Sequence, residues 1–189
     1  MPNWCFTNYV IAGNEKQIAD LYEKLSSLPG REDVAENGFG KFWLGNVLGL
    51  FGKDWNEIYC RGNIEALGRP KPTEIHFCTM TAWGDMPQVW DVVLENYPGL
   101  KYYYYAEEPG NCYYQTNDAE GKYFPGRYAV DRWDSGIEYI ATQEEVLVYV
   151  GKLLDTTFTS WKQMALHVGE YNTKSPETGI YINSITVEA

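Results

Sequence analysis

The side chains able to do chemistry are few and scattered. The chain carries two histidines, His76 and His167, and four cysteines, Cys5, Cys60, Cys78 and Cys112. Nucleophilic catalysis needs a nucleophile with a base in reach. No GxSxG elbow occurs. If residues 74–81 form a strand, Glu74, His76 and Cys78 share one face, because side chains alternate. Side by side on one face, His76 and Cys78 are poorly placed for an ion pair. As metal ligands the three need a fourth group that the sequence does not identify. No two cysteines form a CxxC pair, which excludes zinc ribbons and thioredoxin-type redox motifs. The cysteines are expected to be reduced core residues. No metal and no cofactor is expected. The acidic pairs Glu107-Glu108, Asp131 with Asp134 and Glu144-Glu145 could serve a glycosidase only if two faced each other across a sugar. Spacing alone does not set that.

Phosphate chemistry is excluded more firmly. A P-loop requires GxxxxGK followed by Ser or Thr. Gly52-Lys53 is preceded by Val47 at the glycine position and followed by Asp54, and Gly40-Lys41 has Ala35 there. Asn37-Gly38-Phe39-Gly40-Lys41-Phe42 resembles the RNA-recognition signature. It lacks the leading basic residue, Lys41 replaces an aromatic, and it precedes the second strand instead of lying on the third. The chain of 189 residues has a net charge of −11. Non-specific nucleic-acid binding depends on Lys and Arg neutralising phosphates, so nucleic acid is an unlikely partner.

Aromatic residues are the strongest remaining lead, at 16% of the chain. Tyr102, Tyr103, Tyr104 and Tyr105 are consecutive on a predicted strand, so one pair enters the core and the other lies on the open face or under the C-terminal tail. With Tyr113 and Tyr114 they form a candidate binding surface, because tyrosine offers contact area at small entropic cost. A weaker candidate pocket combines His76 with Trp43, Trp55 and Trp83. It draws on a long glycine- and aromatic-rich excursion over residues 30–56, since long loops are uncommon without a purpose.

The elements that must position these residues read as follows. Trp4 to Ile11 is a strand. Asn14 caps a helix bearing Ile18, Leu21, Leu25 and Leu28, with Gln17 completing an approximate capping box. A short helix falls near residues 43–50. Strands follow at 57–66 and 74–81, a helix at 86–97 and a strand at 100–107, with shorter strands at 112–116 and 123–130. The tail is helical: Thr142 and Glu145 form a capping box for a helix to Leu154, a second helix spans 159–168, and a strand-like run closes the chain. The order predicts an α+β fold, a ferredoxin-like βαββαβ antiparallel sheet with two extra strands and a helical C-terminal extension. It divides as residues 1–130 and 131–189, the extension packing on the same domain. A cytoplasmic location is expected, because no signal peptide is legible and no apolar run approaches the ~20 residues of a membrane helix.

Four stretches, in order, resemble the YubB-like ferredoxin-like family of bacterial plasmids, phages and other mobile elements. They are Met1-Pro2-Asn3-Trp4-Cys5, with Asn8 and Gly13; Phe51-Gly52-Lys53-Asp54-Trp55-Asn56; Thr81-Ala82-Trp83-Gly84-Asp85-Met86-Pro87; and Tyr105-Ala106-Glu107-Glu108-Pro109-Gly110-Asn111. The second departs from the Trp-Gly-x-Lys-Trp form by having Phe51 first. The resemblance covers residues 1–130. It implies the fold and a mobile-element origin, and it supplies no chemistry. The function expected is therefore a non-enzymatic binding or accessory module with a protein partner, homodimerisation being compatible with the sequence. The alternatives are a small hydrolase with a site by residues 38–55 and an acidic decoy that mimics DNA.

Overall fold

The protein is described as a computed structural model, covering residues 3–35, 37–132 and 135–188. It is a mixed α+β structure. It divides into two compact units, Met1–Tyr113 and Tyr114–Ala189.

In the first unit, β1 (Trp4–Gly13) leads through Asn14 into α1 (Glu15–Ser27). Asn14 caps as its type dictates, its side chain accepting from the backbone N–H of Lys16 and Gln17 at 3.0 and 3.3 Å. Gln17 does not close a capping box. Its side-chain oxygen accepts from Gly99 N–H, 82 residues away, at 3.1 Å. The excursion contains α2 (Leu44–Leu50). Then come β2 (Gly62–Lys71), β3 (Glu74–Ala82), α3 (Pro87–Leu94) and β4 (Leu100–Glu108). The strands lie in the order β2-β3-β1-β4, every neighbour antiparallel.

The second strand lies later than its sequence suggests. The apolar run from Glu57 stays irregular until Gly62, and the strand instead carries Pro70. β2 is an edge of this four-strand set, and its register slips between Gly68 and Lys71. A proline without a backbone donor is tolerated at such a place.

Alternation along β1 sorts the faces. Cys5, Thr7, Tyr9 and Ile11 are buried, while Phe6 and Asn8 are exposed. The buried face meets α1, α2 and α3 in a core that includes Ile18, Leu21, Val47, Phe77 and Trp90. Tyr9 stacks on Phe77, directly opposite it on β3, at 4.9 Å between ring centroids, and Trp90 lies 5.4 Å from Tyr9.

The second unit has its own core of Val130, Ile140, Val146, Val150, Phe158, Met164, Val168 and Ile180. Its central strand β6 (Tyr128–Arg132) pairs antiparallel with both β7 (Gly136–Ile140) and β8 (Ile180–Ser184). β5 (Tyr113–Thr116) pairs parallel with the short β9 (Thr186–Val187) through Gln115 and Thr116. The helices are α4 (Gln143–Leu153) and α5 (Trp161–Lys174). The Thr142/Glu145 capping box forms in both directions, at 3.2 and 3.1 Å. No described helix is long and apolar enough to cross a membrane.

Candidate functional site

The excursion after α1 builds the walls of a cleft. Asn46 on α2 is buried, and its carboxamide accepts from Ala35 N–H at 2.9 Å while donating to the carbonyls of Ala35 and Lys41 at 3.0 and 3.1 Å. Those bonds pin Ala35 and Lys41 onto the helix. Trp43 precedes α2 and is itself buried. Its indole N–H donates to the Cys60 carbonyl at 3.1 Å, tying the far end of the excursion to the same point. Gly45 is required beside it, because a Cβ there would lie 2.4 Å from the Trp43 ring. Trp55 packs against Trp43 at 5.2 Å, edge to face, and stays half-exposed.

A cleft of about 270 Å³ opens on one side of this pair, lined by Asn37, Gly38, Phe39, Trp43, Tyr59, Cys60 and Arg61. A second of about 270 Å³, reaching Trp55 and the α2 glycines Gly45 and Gly49, opens on the other. Tyr59 is 56% exposed, and Arg61 is exposed, with no ion pair or side-chain hydrogen bond to any described residue. Phe39 is fixed from behind by Trp4, at 6.2 Å between rings. Clefts of about 350 and 400 Å³ flank α4 in the second unit. They are larger, but each is lined by a single aromatic ring, Phe158 in one and Tyr149 in the other.

Three of the four resemblance stretches meet beside this region. Trp83 N–H donates to the Asn3 carbonyl at 2.9 Å, and the Asn3 side chain donates to Glu108 at 3.4 Å. Glu108 also accepts from Gly110 N–H at 2.9 Å, while Tyr113 donates to Asp85. The Ala82 N–H donates to the Arg61 carbonyl at 3.0 Å, which places Trp83 next to the cleft's strand. Met1 and Pro2 lie outside the described residues.

The pocket expected from His76, Trp43, Trp55 and Trp83 is only partly assembled. Trp43 and Trp55 touch. His76 lies elsewhere: Trp43 bridges to Asn63, whose β3 partner is Met80, four residues from His76 or about 14 Å along a strand. His76 also faces away from the helices, on the Val10 side of the sheet. It shares Glu74 with Lys71, at 3.0 and 3.1 Å. Glu74, His76 and Cys78 do share a face, but the carboxylate already engages the Lys71 ammonium and the His76 ring. Among the described residues no group of three or more His, Cys, Asp or Glu could hold a metal.

The tyrosines divide as alternation requires. Tyr102 and Tyr104 face the core side with Tyr9, and Tyr102 donates to Asp91 at 2.7 Å. Tyr104, Tyr105 and Tyr114 are buried, while Tyr103 and Tyr113 are half-buried. Three of the six therefore offer almost no surface. The cysteines are all free, with Cys5 and Cys60 buried, Cys78 half-buried and Cys112 exposed. Cys112 departs from the core position expected because it follows a tight turn at Pro109–Asn111 and takes a left-handed φ of 53°. Burial pushes the Cys5 thiol up to about 11, which keeps it protonated and unsuited to nucleophilic attack.

The acidic pairs are not seen to form a facing dyad among the described residues. Glu107 and Glu108 alternate along β4, Glu145 is engaged in its cap, and Asp134 lies outside the described residues. Comparison with protein-family models, with curated proteins and with solved structures finds no match.

Tyr59 and Arg61 escape a reading of the sequence because a strand assigned from residue 57 puts them in a sheet, whereas Phe39 falls within the aromatic-rich excursion. The usable signal is Trp55, Tyr59 and Arg61 crowded ahead of Gly62, at the end of a long glycine-rich loop.

Proposed function

We propose that the protein is a non-enzymatic, protein-binding module. Its recognition site is the aromatic cleft of Phe39, Trp43, Tyr59 and Arg61, in place of the tyrosine run of β4. One observation carries this: Phe39 and Tyr59 held partly exposed around a preformed cleft backed by the buried Trp43, beside a guanidinium that no described residue engages. Interface anchors are enriched in Trp, Tyr and Arg, and they act when their own rotamers are already fixed. Here Trp43 is fixed by Cys60, Phe39 by Trp4, and the loop by Asn46.

The β2-β3-β1-β4 order with all neighbours antiparallel, and the β-α-β-β-α-β succession of its long elements, support a ferredoxin-like first unit with α2 inserted. The meeting of Asn3, Trp83 and Glu108 supports treating the YubB-like stretches as one structural feature, and with it an accessory role on a mobile element.

The test is capture of a stoichiometric protein partner from native-host lysate by the wild-type chain, set against a Phe39→Ser, Tyr59→Ser variant shown to be folded. Loss of the partner with the variant supports the site. Equal capture places recognition elsewhere.

A further inference from the structure

The cleft specifies more than an apolar contact, and the following rests on the protein-binding reading above. At about 270 Å³ it falls just below the ~300 Å³ at which small-molecule sites begin, which suits one bulky side chain better than a cofactor. Its rings, Phe39, Trp43 and Tyr59, suit an aromatic or large aliphatic group. Arg61 is the cation in its wall. Its own carbonyl is held by Ala82 N–H at 3.0 Å, which anchors the backbone while the side chain has no hydrogen bond or ion pair to any described residue. A guanidinium presents a fixed fork of donors matched to a carboxylate. A charge-assisted pair beside an apolar wall is stronger than in open water.

We infer that this cleft takes the C-terminal residue of a partner protein, its aromatic side chain among Phe39, Trp43 and Tyr59 and its terminal carboxylate on Arg61. Capture of a free C-terminus is a recurring mode of peptide recognition. It also explains how a chain of net charge −11 could accept a carboxylate: the attraction is local, through one unneutralised guanidinium.

The probes are acetyl-Ala-Phe as the free acid and as the C-terminal amide, titrated into the full chain and followed by the indole N–H resonances of Trp43 and Trp55. The free acid is expected to shift them and to bind about tenfold more tightly than the amide, the difference being lost in Arg61→Gln. Arg61 is exposed and its side chain has no partner among the described residues, so that variant should fold as the wild type does. Equal binding of acid and amide overturns the carboxylate assignment and leaves the aromatic cleft standing. Absence of indole shifts with either probe overturns both. An acid preference that persists in Arg61→Gln overturns the role of Arg61.

Discussion

Asn46 and Ala35 are joined reciprocally: the Asn46 side-chain oxygen accepts from Ala35 N–H at 2.9 Å, and its nitrogen donates to the Ala35 carbonyl at 3.0 Å. This is the pairing of a strand ladder made by one side chain, and it holds the loop that carries Phe39. Asn46→Ala removes both bonds and the one to Lys41, leaving part-buried backbone groups without these partners. The expected cost is about 2–3 kcal/mol by denaturant titration, with faster amide exchange over residues 35–41. Protection of 35–41 unchanged from wild type would show that the loop is held by other means.

Trp83 sits at φ 75°, where a side chain is strained, and its ring is 53% exposed. Trp83→Gly relieves the backbone and Trp83→Ala does not, although both delete the ring. The glycine variant is expected to be more stable than the alanine variant by about 1 kcal/mol in thermal unfolding. Alanine equal to or better than glycine would mean that the left-handed turn is not maintained in solution.

Asp118 organises the loop between β5 and β6 in the second unit. Its carboxylate accepts from the backbone N–H of Lys122, Tyr123 and Phe124 at 3.1, 2.6 and 2.8 Å. Burial acts to raise its pKa, but those three amides and the nearby Arg127 outweigh it and hold the carboxyl below its ordinary value. A depressed carboxylate contributes stability that is complete above the unfolded value of about 3.9 and is lost as pH falls through the folded value. Wild-type stability should therefore fall below about pH 4, more steeply than that of Asp118→Asn, which should already be weaker at pH 7 by about 1–3 kcal/mol. Parallel pH profiles for the two proteins would contradict this.

The cysteines give a map of burial. Cys112 should react first with a thiol reagent in the native protein, while Cys5, its thiol pushed up to about 11 by burial, and Cys60, raised for the same reason, should react only on unfolding. Rapid native labelling of Cys5 would place β1 outside the core.

Much of this architecture is legible in the sequence because local chemistry and global packing agree. Asn14, Thr142 and Glu145 cap where their types and spacing indicate, and Ile18, Leu21 and Leu25 mark the buried stripe of α1. The misses have local causes. β2 begins at Gly62 and runs on through Pro70, which its edge position tolerates although a periodicity argument counts it against a strand. β7 is only Gly136–Ile140, and it opens on Gly136 at φ 87°, which interrupts the alternation a strand signal needs. The site is the least legible part. Trp43 and Trp55 stand out as residues, but their meeting with Tyr59 and Arg61 is made by long-range bonds such as Trp43 to Cys60, and His76 is excluded only by strand register.

The most direct test of the cleft as the recognition site places a photo-crosslinking amino acid at Tyr59 in one chain and at His76 in another, and irradiates each in native-host lysate. A single discrete protein adduct from position 59, and none from position 76, is the expected result. An adduct from position 76 with none from position 59 would move recognition to the opposite face of the sheet and contradict the account.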